Sequence, residues 1–348
     1  MEEAKDLVFI SLSFTTGIAA GALFKGFLPI ACAVSSILSV ILVLFVLRSR
    51  HPHISVGLLF LSLGIFCACT EALTYVAPEA GFVEKLALNC CERLKVLIDS
   101  LPFADKASAP MIKALLTGDR SDIPVELVRN FRAAGASHIL ALSGMHLGVT
   151  YLALRKILCP IGNSPFAKRI KWSLLVTLAG FYTLMTGAGA SLVRALLFIV
   201  LNETAILLHR HRKPSRILLA ALTIQLAANP SALYSAGFQL SYLAICGIVF
   251  IMPLLVGPYK KFKLWNMLAM SLACQLTTAP LSWFYFHSFP RHFLLTNIIA
   301  MPLSSGIMMI SLPTITLSAL GICPELLVEV TDYAARSLAF ALEVIAGM

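Results

Sequence analysis

The stretch Ser137-His-Ile-Leu-Ala-Leu-Ser-Gly-Met-His-Leu-Gly148 poses the problem that decides the fold. Ser137 is a good helix N-cap, and the residues after it are apolar enough for lipid or a core. Yet the same stretch holds the polar His138, Ser143 and His146. It also holds Gly144 and Gly148, which weaken a helix. Polar and ionisable groups at membrane depth are costly and usually face a cavity.

The rest of the chain favours the membrane. Its 348 residues are 59% hydrophobic and 13% charged, against roughly 25% charged in soluble domains. That is the composition of an all-α, polytopic membrane protein. Little length remains for a soluble domain, because only residues 78–136 lack long apolar runs. The opening Met1-Glu2-Glu3 is acidic and no clean small-residue cleavage site follows. Residues 7–24 therefore read as a first span, not a cleaved leader. Nine cysteines lie mostly inside apolar runs, where cysteine serves as a small hydrophobe. They outline neither a disulfide framework nor a zinc site, and nothing implies a cofactor.

Spanning a bilayer takes about 20 apolar residues. Candidates are 7–24, 27–47, 54–77, 137–154, 172–187, 190–208, 217–228, 237–256, 264–281, 293–318 and 321–347. Pro280, Pro290, Pro302 and Pro313 punctuate the last third and predict broken or re-entrant helices there. Four short basic loops hold 14 of the 27 Lys and Arg: 48–50, 155–171, 210–216 and 260–263. Such loops stay in the cytoplasm, which predicts a cytoplasmic N-terminus and an exterior 78–136. It also accounts for the net charge of +10 without any nucleic-acid ligand. The exterior segment carries eight basic and eight acidic residues. Phe82 to Leu101 reads as an amphipathic helix in the outer interface, followed by two short helices that stop at Gly118 and Gly135. The expected division is three spans in 1–77, interfacial helices in 78–136 and a bundle in 137–348.

Polar groups within the bundle fall into four constellations. His138 and His146 are about 12 Å apart along a continuous helix and about 80° around it, so one metal cannot bridge them. Ser143 and His146 share a face, but no orienting carboxylate lies near them in sequence. Gly144 and Gly148 form GxxxG, a helix-packing spacing. In Thr186-Gly-Ala-Gly-Ala-Ser191-Leu-Val-Arg194, Gly187 and Gly189 separate two apolar runs, and Ser191 and Arg194 open a helix whose free N–H groups suit an anion. Gln239 and Ser241 follow Asn229-Pro230. Gln275 and Asn297 flank Pro280. Together these groups suggest the lining of a polar cavity.

Those motifs, in that order, resemble the ComEC-type competence family. Gly118-Asp-Arg-Ser-Asp-Ile-Pro124, FRAAGASH at 131–138, LALSGMHLG at 140–148, TGAGASLVRA at 186–195, NPSALYSAGFQLS at 229–241 and QLTTAPLSWFYF at 275–286 carry the resemblance. It implies a helical competence-domain bundle in the bacterial inner membrane, forming a channel for single-stranded DNA in natural transformation. Long members of the family also carry an OB-like domain and a metallo-β-lactamase-like domain. Here 78–107 is too short for the first, and no HxHxDH motif marks the second. No catalytic residue, nuclease activity or metal is therefore carried over. The expected partners are single-stranded DNA, membrane lipid, and a separate nuclease and cytoplasmic DNA motor or single-strand-binding protein.

The residues expected to line the path are His138, Ser143, His146, Ser191, Arg194, Gln239, Ser241, Gln275 and Asn297. Gly144, Gly148, Gly187 and Gly189 are expected to pack helices. Tyr242, Trp283 and Phe286 suit either base stacking or the lipid interface. Two other functions fit the same residues. One is an intramembrane hydrolase or small-solute transporter centred on Ser143, His146 and Arg194. The other is a scaffold for a separate nuclease or helicase.

Overall fold

A computed structural model describes residues 2–24, 26–48, 52–74, 81–162, 164–257, 262–287, 291–322 and 325–348. Pro290 and several of the loop cations lie outside them. Regular structure among the described residues is helical throughout. In chain order the helices are α1 (Glu2–Gly21), α2 (Leu28–Arg48), α3 (Pro52–Thr74), α4 (Phe82–Asp99), α5 (Ser108–Thr117), α6 (Val125–Ala133), α7 (Ser137–Leu140) and α8 (Gly144–Ile157). They continue with α9 (Pro165–Met185), α10 (Ala190–Leu207), α11 (Pro214–Ala228), α12 (Ala236–Cys246), α13 (Met252–Val256), α14 (Lys263–Phe286), α15 (Phe293–Ala319) and α16 (Glu325–Ala346).

Six helices among the described residues are long and apolar enough to cross a membrane: 6–24, 28–46, 53–74, 190–207, 236–256 and 293–319. The predicted spans 137–154, 172–187, 217–228, 264–281 and 321–347 are not among these. Three of them fall on long helices, α9, α14 and α16, 217–228 falls on the shorter apolar α11, and 137–154 is divided. The prolines act differently from expectation. Pro280 lies inside α14, and Pro302 and Pro313 lie inside α15, without ending either helix. In a membrane bundle, neighbouring groups can satisfy the carbonyls that proline frees.

The chain groups into two units. Residues 1–79 and 200–242 form one, and 80–199 with 243–348 form the other. Residues 200–242 thus group with the N-terminal helices.

In the first unit α3 packs between α1 and α2. The α1–α3 contact is backbone on backbone. A β-carbon at Gly17 would lie 2.1 Å from the Leu61 carbonyl oxygen, and one at Gly64 would lie 2.3 Å from that of Phe14. One turn on, Gly21 faces Ala68. Lipid gives apolar side chains little reason to leave it, so close packing of small residues holds such helices together. Buried hydroxyls add to this. Ser39 and Ser62 meet at 2.9 Å between α2 and α3, and Ser62 donates to the Ser35 carbonyl. Ser11 on α1 meets Thr223 on α11 at 3.0 Å.

The second unit is built around α5, α6, α15 and α16. Met111, Ile112, Leu115 and Phe131 are buried there with Ile307, Met308, Leu338 and Leu342. On α16 the inward stripe runs Val328, Thr331, Ala335, Leu338, Leu342 and Ile345, the spacing of one helical face. Eight of the ten α5 residues are buried. Helix α5 is thus a core element of this unit. The sequence leaves this hidden because α5 is short and carries Ser108, Lys113 and Thr117, polar residues that are buried all the same.

Charges fasten this core at one end. Lys113 on α5 is buried and pairs with Asp99 at 2.9 Å and with Asp122. Burial opposes its charge, but the two carboxylates outweigh this and raise its pKa. Lys95 lies 2.8 Å from both Glu92 and Asp119. The Lys95 ammonium, aided by Ser121, holds the Asp119 carboxyl well below its usual range. Asp119, then Glu92, raises Lys95. A depressed carboxylate adds stability that is lost as pH falls below its unfolded value, about 3.9, toward its folded one. A raised lysine adds stability that is lost only as pH rises above about 10.4. Thermal unfolding of the detergent-solubilised protein should therefore weaken below about pH 4 more steeply in wild type than in Asp119→Asn.

Candidate functional site

Ser137–Gly148 is not one helix. α7 ends at Leu140, and Ala141 turns extended at ψ 125°. Ser143, at φ −125° and ψ 171°, is the N-cap of α8. Its Oγ accepts the Met145 N–H at 3.2 Å, and His146 Nδ1 accepts the Ser143 N–H at 3.1 Å. His146 thus takes the place that Glu or Gln holds in the usual capping box. The break also alters the expected geometry of the two histidines, which was reckoned on a continuous helix.

Gly118-Asp-Arg-Ser-Asp-Ile-Pro124 holds the break from the side. Gly118 closes α5 at φ 80°, and a β-carbon there would lie 2.5 Å from Leu142 Cδ1. Arg120 Nε donates to the Leu140 carbonyl at 2.9 Å. These contacts connect residues 20 or more positions apart, and single-sequence patterns carry no sign of them.

Ser143 Oγ lies 3.1 Å from His146 Nδ1, the pairing a serine hydrolase would need. That nitrogen already accepts a backbone N–H, so its lone pair is not free to draw the hydroxyl proton. The hydroxyl oxygen in turn accepts from Met145. The arrangement is a helix cap, not an activated nucleophile. Ser143→Ala should cost about 1 kcal/mol of stability, read by thermal unfolding. A fluorophosphonate probe should leave wild-type Ser143 unlabelled; labelling would restore the hydrolase reading.

The second element is the start of α10. Gly187 and Ala188 both take left-handed backbone, at φ 83° and 48°, and close α9. The Gly187 and Ala188 amides bond back to Leu184 and Thr183. The Gly189 carbonyl accepts the first α10 amides, those of Leu192 and Val193. One turn into α10, Arg194 is 6% exposed. Its Nη2 lies 3.4 Å from Ser191 Oγ and 3.2 Å from where a β-carbon on Gly144 would stand. The Ala195 methyl would be 3.3 Å from the same point. Gly144 therefore lets the guanidinium settle on the first residue of α8.

This position has an electrostatic consequence. A helix N-terminus carries partial positive charge and free N–H groups. A buried cation against it is disfavoured by the same field, and an anion at that point offsets both. The other glycines differ from expectation. Nothing lies within 4 Å of a β-carbon placed at Gly148, Gly187 or Gly189. Gly187 serves the turn through its positive φ, Gly189 caps α10 through its carbonyl, and Gly148 faces open space.

A third set extends from α7 toward α15 and α14. His138, on α7, keeps accessible surface. Its ring interacts with the Asn297 side chain. Asn297 Nδ2 donates to Ser271 Oγ on α14 at 3.3 Å. Gln275 lies one turn beyond Ser271 on the same face. Next to Asn297, the buried Thr296 donates to the Ala134 carbonyl at 2.5 Å. The second unit thus brings together His138, Asn297 and Ser271 on one side of the α7–α8 break, and Ser143, His146, Ser191 and Arg194 at the break itself.

Gln239 and Ser241 are placed otherwise. Both belong to the first unit, where Gln239 Nε2 donates to the Leu233 carbonyl at 2.8 Å and so closes the turn before α12. Tyr242 is buried, stacks on Phe238 at 4.5 Å and donates to Gln225, so it is a packing residue. Trp283 and Phe286 are exposed near the end of α14, as interface anchors are.

Comparison with known proteins now bears on this arrangement. Residues 115–348 match the model of a family described as Competence protein. The chain is also 31% identical over 184 residues to ComE operon protein 3 of Bacillus subtilis (strain 168). That alignment takes in 52% of this chain and 23% of the relative's length. No solved structure matches it. The family match begins inside α5, just before Gly118, and takes in the broken α7–α8 segment, the start of α10 and the polar residues of α14 and α15. This chain belongs to the Competence protein family.

Proposed function

We propose that this protein forms a path for single-stranded DNA through the bacterial inner membrane during natural transformation. The observation that supports it most is the buried Arg194 guanidinium beside Ser191 and against the first residue of α8. A passing phosphate is an anion of the right kind for that point. Conduction also needs sites weak enough to leave. One arginine followed by neutral His138, Asn297, Ser271 and Gln275 meets that need better than a lysine-lined groove. The basic loops set the N-terminus and those loops in the cytoplasm, and the apolar helix faces contact lipid. Pulling is the work of a cytoplasmic motor or single-strand-binding protein, and strand cutting that of a separate nuclease. The chain itself has no catalytic role in this reading.

The test is a deletion strain of a transformable host, assayed separately for surface-bound and internalised labelled DNA. Lost internalisation with normal surface binding, restored by the intact gene, is the expected result. Normal internalisation in the deletion strain would remove the proposal.

A further inference from the structure

We propose that Arg120 is a positioning residue that keeps the α7–α8 break from closing into one continuous helix. The residues of the break, Leu140-Ala-Leu-Ser-Gly144, include good helix formers. In an uninterrupted helix the Gly144 N–H would donate to the Leu140 carbonyl. Arg120 Nε donates to that same carbonyl at 2.9 Å, so it supplies from the side the hydrogen bond that the Gly144 N–H leaves unmade and stabilises the broken state. Neighbouring groups favour the latch. Asp119 is engaged by Lys95 and Asp122 by Lys113, which leaves the guanidinium free to turn to the carbonyl instead of to either carboxylate beside it. Leu142 packs under Gly118, pinning the extended residues. Closing the helix would strip Ser143 of its extended backbone, undo the cap with His146 and remove the helix N-terminus on which Arg194 rests. The latch thus rests, for its functional meaning, on the reading that DNA passes this break.

Hydrogen exchange of the membrane-reconstituted protein separates the possibilities, because the latch predicts the opposite sign from ordinary destabilisation. In Arg120→Ala the amides of Leu142 and Gly144 should exchange at least tenfold more slowly than in wild type, as they enter a helix, whereas the Ser143 amide is already held by His146 Nδ1. Arg120→Lys, which keeps a cationic donor, should restore wild-type exchange. If Arg120→Ala does not fold, Arg120→Met keeps the stem without the donor, and the same slowing is expected. Unchanged exchange at Leu142 and Gly144, or faster exchange throughout the second unit, would overturn the proposal. DNA uptake is measured on the same variants. Slowed exchange with lost uptake supports both the latch and the path. Slowed exchange with full uptake supports the latch and moves the DNA path away from the break.

Discussion

Arg194→Ala should abolish DNA internalisation, by about a hundredfold or more, while surface DNA binding persists. The size follows from the surroundings. Removing one partner of a desolvated, charge-assisted contact costs about 2–5 kcal/mol, and each 1.4 kcal/mol is about a factor of ten. Arg194 is buried against α8, so solvent does little to screen it. Arg194→Lys keeps the charge but not the planar fork that matches phosphate, and should recover only part of the uptake. A packing role for Arg194 gives a different result. Arg194→Met, with a similar stem, would then retain uptake, and the phosphate contact would be refuted. Internalised label per cell, normalised to the amount of protein in the membrane, is the measurement.

Gly64→Leu should be the most damaging change to the fold of the first unit. A β-carbon at this position would stand 2.3 Å from the Phe14 carbonyl oxygen and 2.9 Å from the Ile18 amide nitrogen. Those atoms are backbone within α1, so nothing yields without moving a whole helix. Overpacking costs roughly 1–3 kcal/mol where side chains can adjust, and a clash of two backbones should reach about 3 kcal/mol or more. Gly17→Leu should behave alike, since Gly17 meets Leu61 from the other side. Gly148→Ala is the control. It has open space around it and should melt like wild type. Thermal unfolding in detergent, with proteolysis of α1 and α3 as a second measure, decides the matter. A Gly64→Leu protein as stable as the Gly148→Ala control would show that the α1–α3 contact is not what holds the unit together.

The two predictions also mark where sequence reading and structure part. The sequence reading places helix-packing GxxxG at Gly144 and Gly148, yet the closest helix contact uses Gly17 and Gly21 of α1, themselves a GxxxG, with Gly64 of α3. A spacing within one helix says that backbones can approach; it does not say which partner approaches, or whether any does. Gly144 illustrates the point. It makes room for the Arg194 side chain on α10, and its GxxxG companion Gly148 faces nothing.

Composition and periodicity by themselves determined the class of this protein. An apolar chain with charges gathered in short loops must satisfy its backbone internally, and helices do that within one segment. The glycines that end the short helices, at 118 and 135, were equally legible, because positive φ is a local requirement that glycine meets without strain. The end of α9 was legible for the same reason at Gly187, though Ala188 beside it is left-handed without being glycine. The division at Leu140–Ser143 was decided only by tertiary structure, because the carbonyl freed there finds its partner in Arg120. Likewise the meeting of Arg194 with Gly144, the chain from His138 through Asn297 to Ser271, and the separation of Gln239 and Ser241 into the other unit depend on which helices become neighbours. Local preference fixes what each segment can be. Packing selects which polar groups share a space, because in a membrane the helices are alike in their preference for lipid and only shape and buried hydrogen bonds tell them apart.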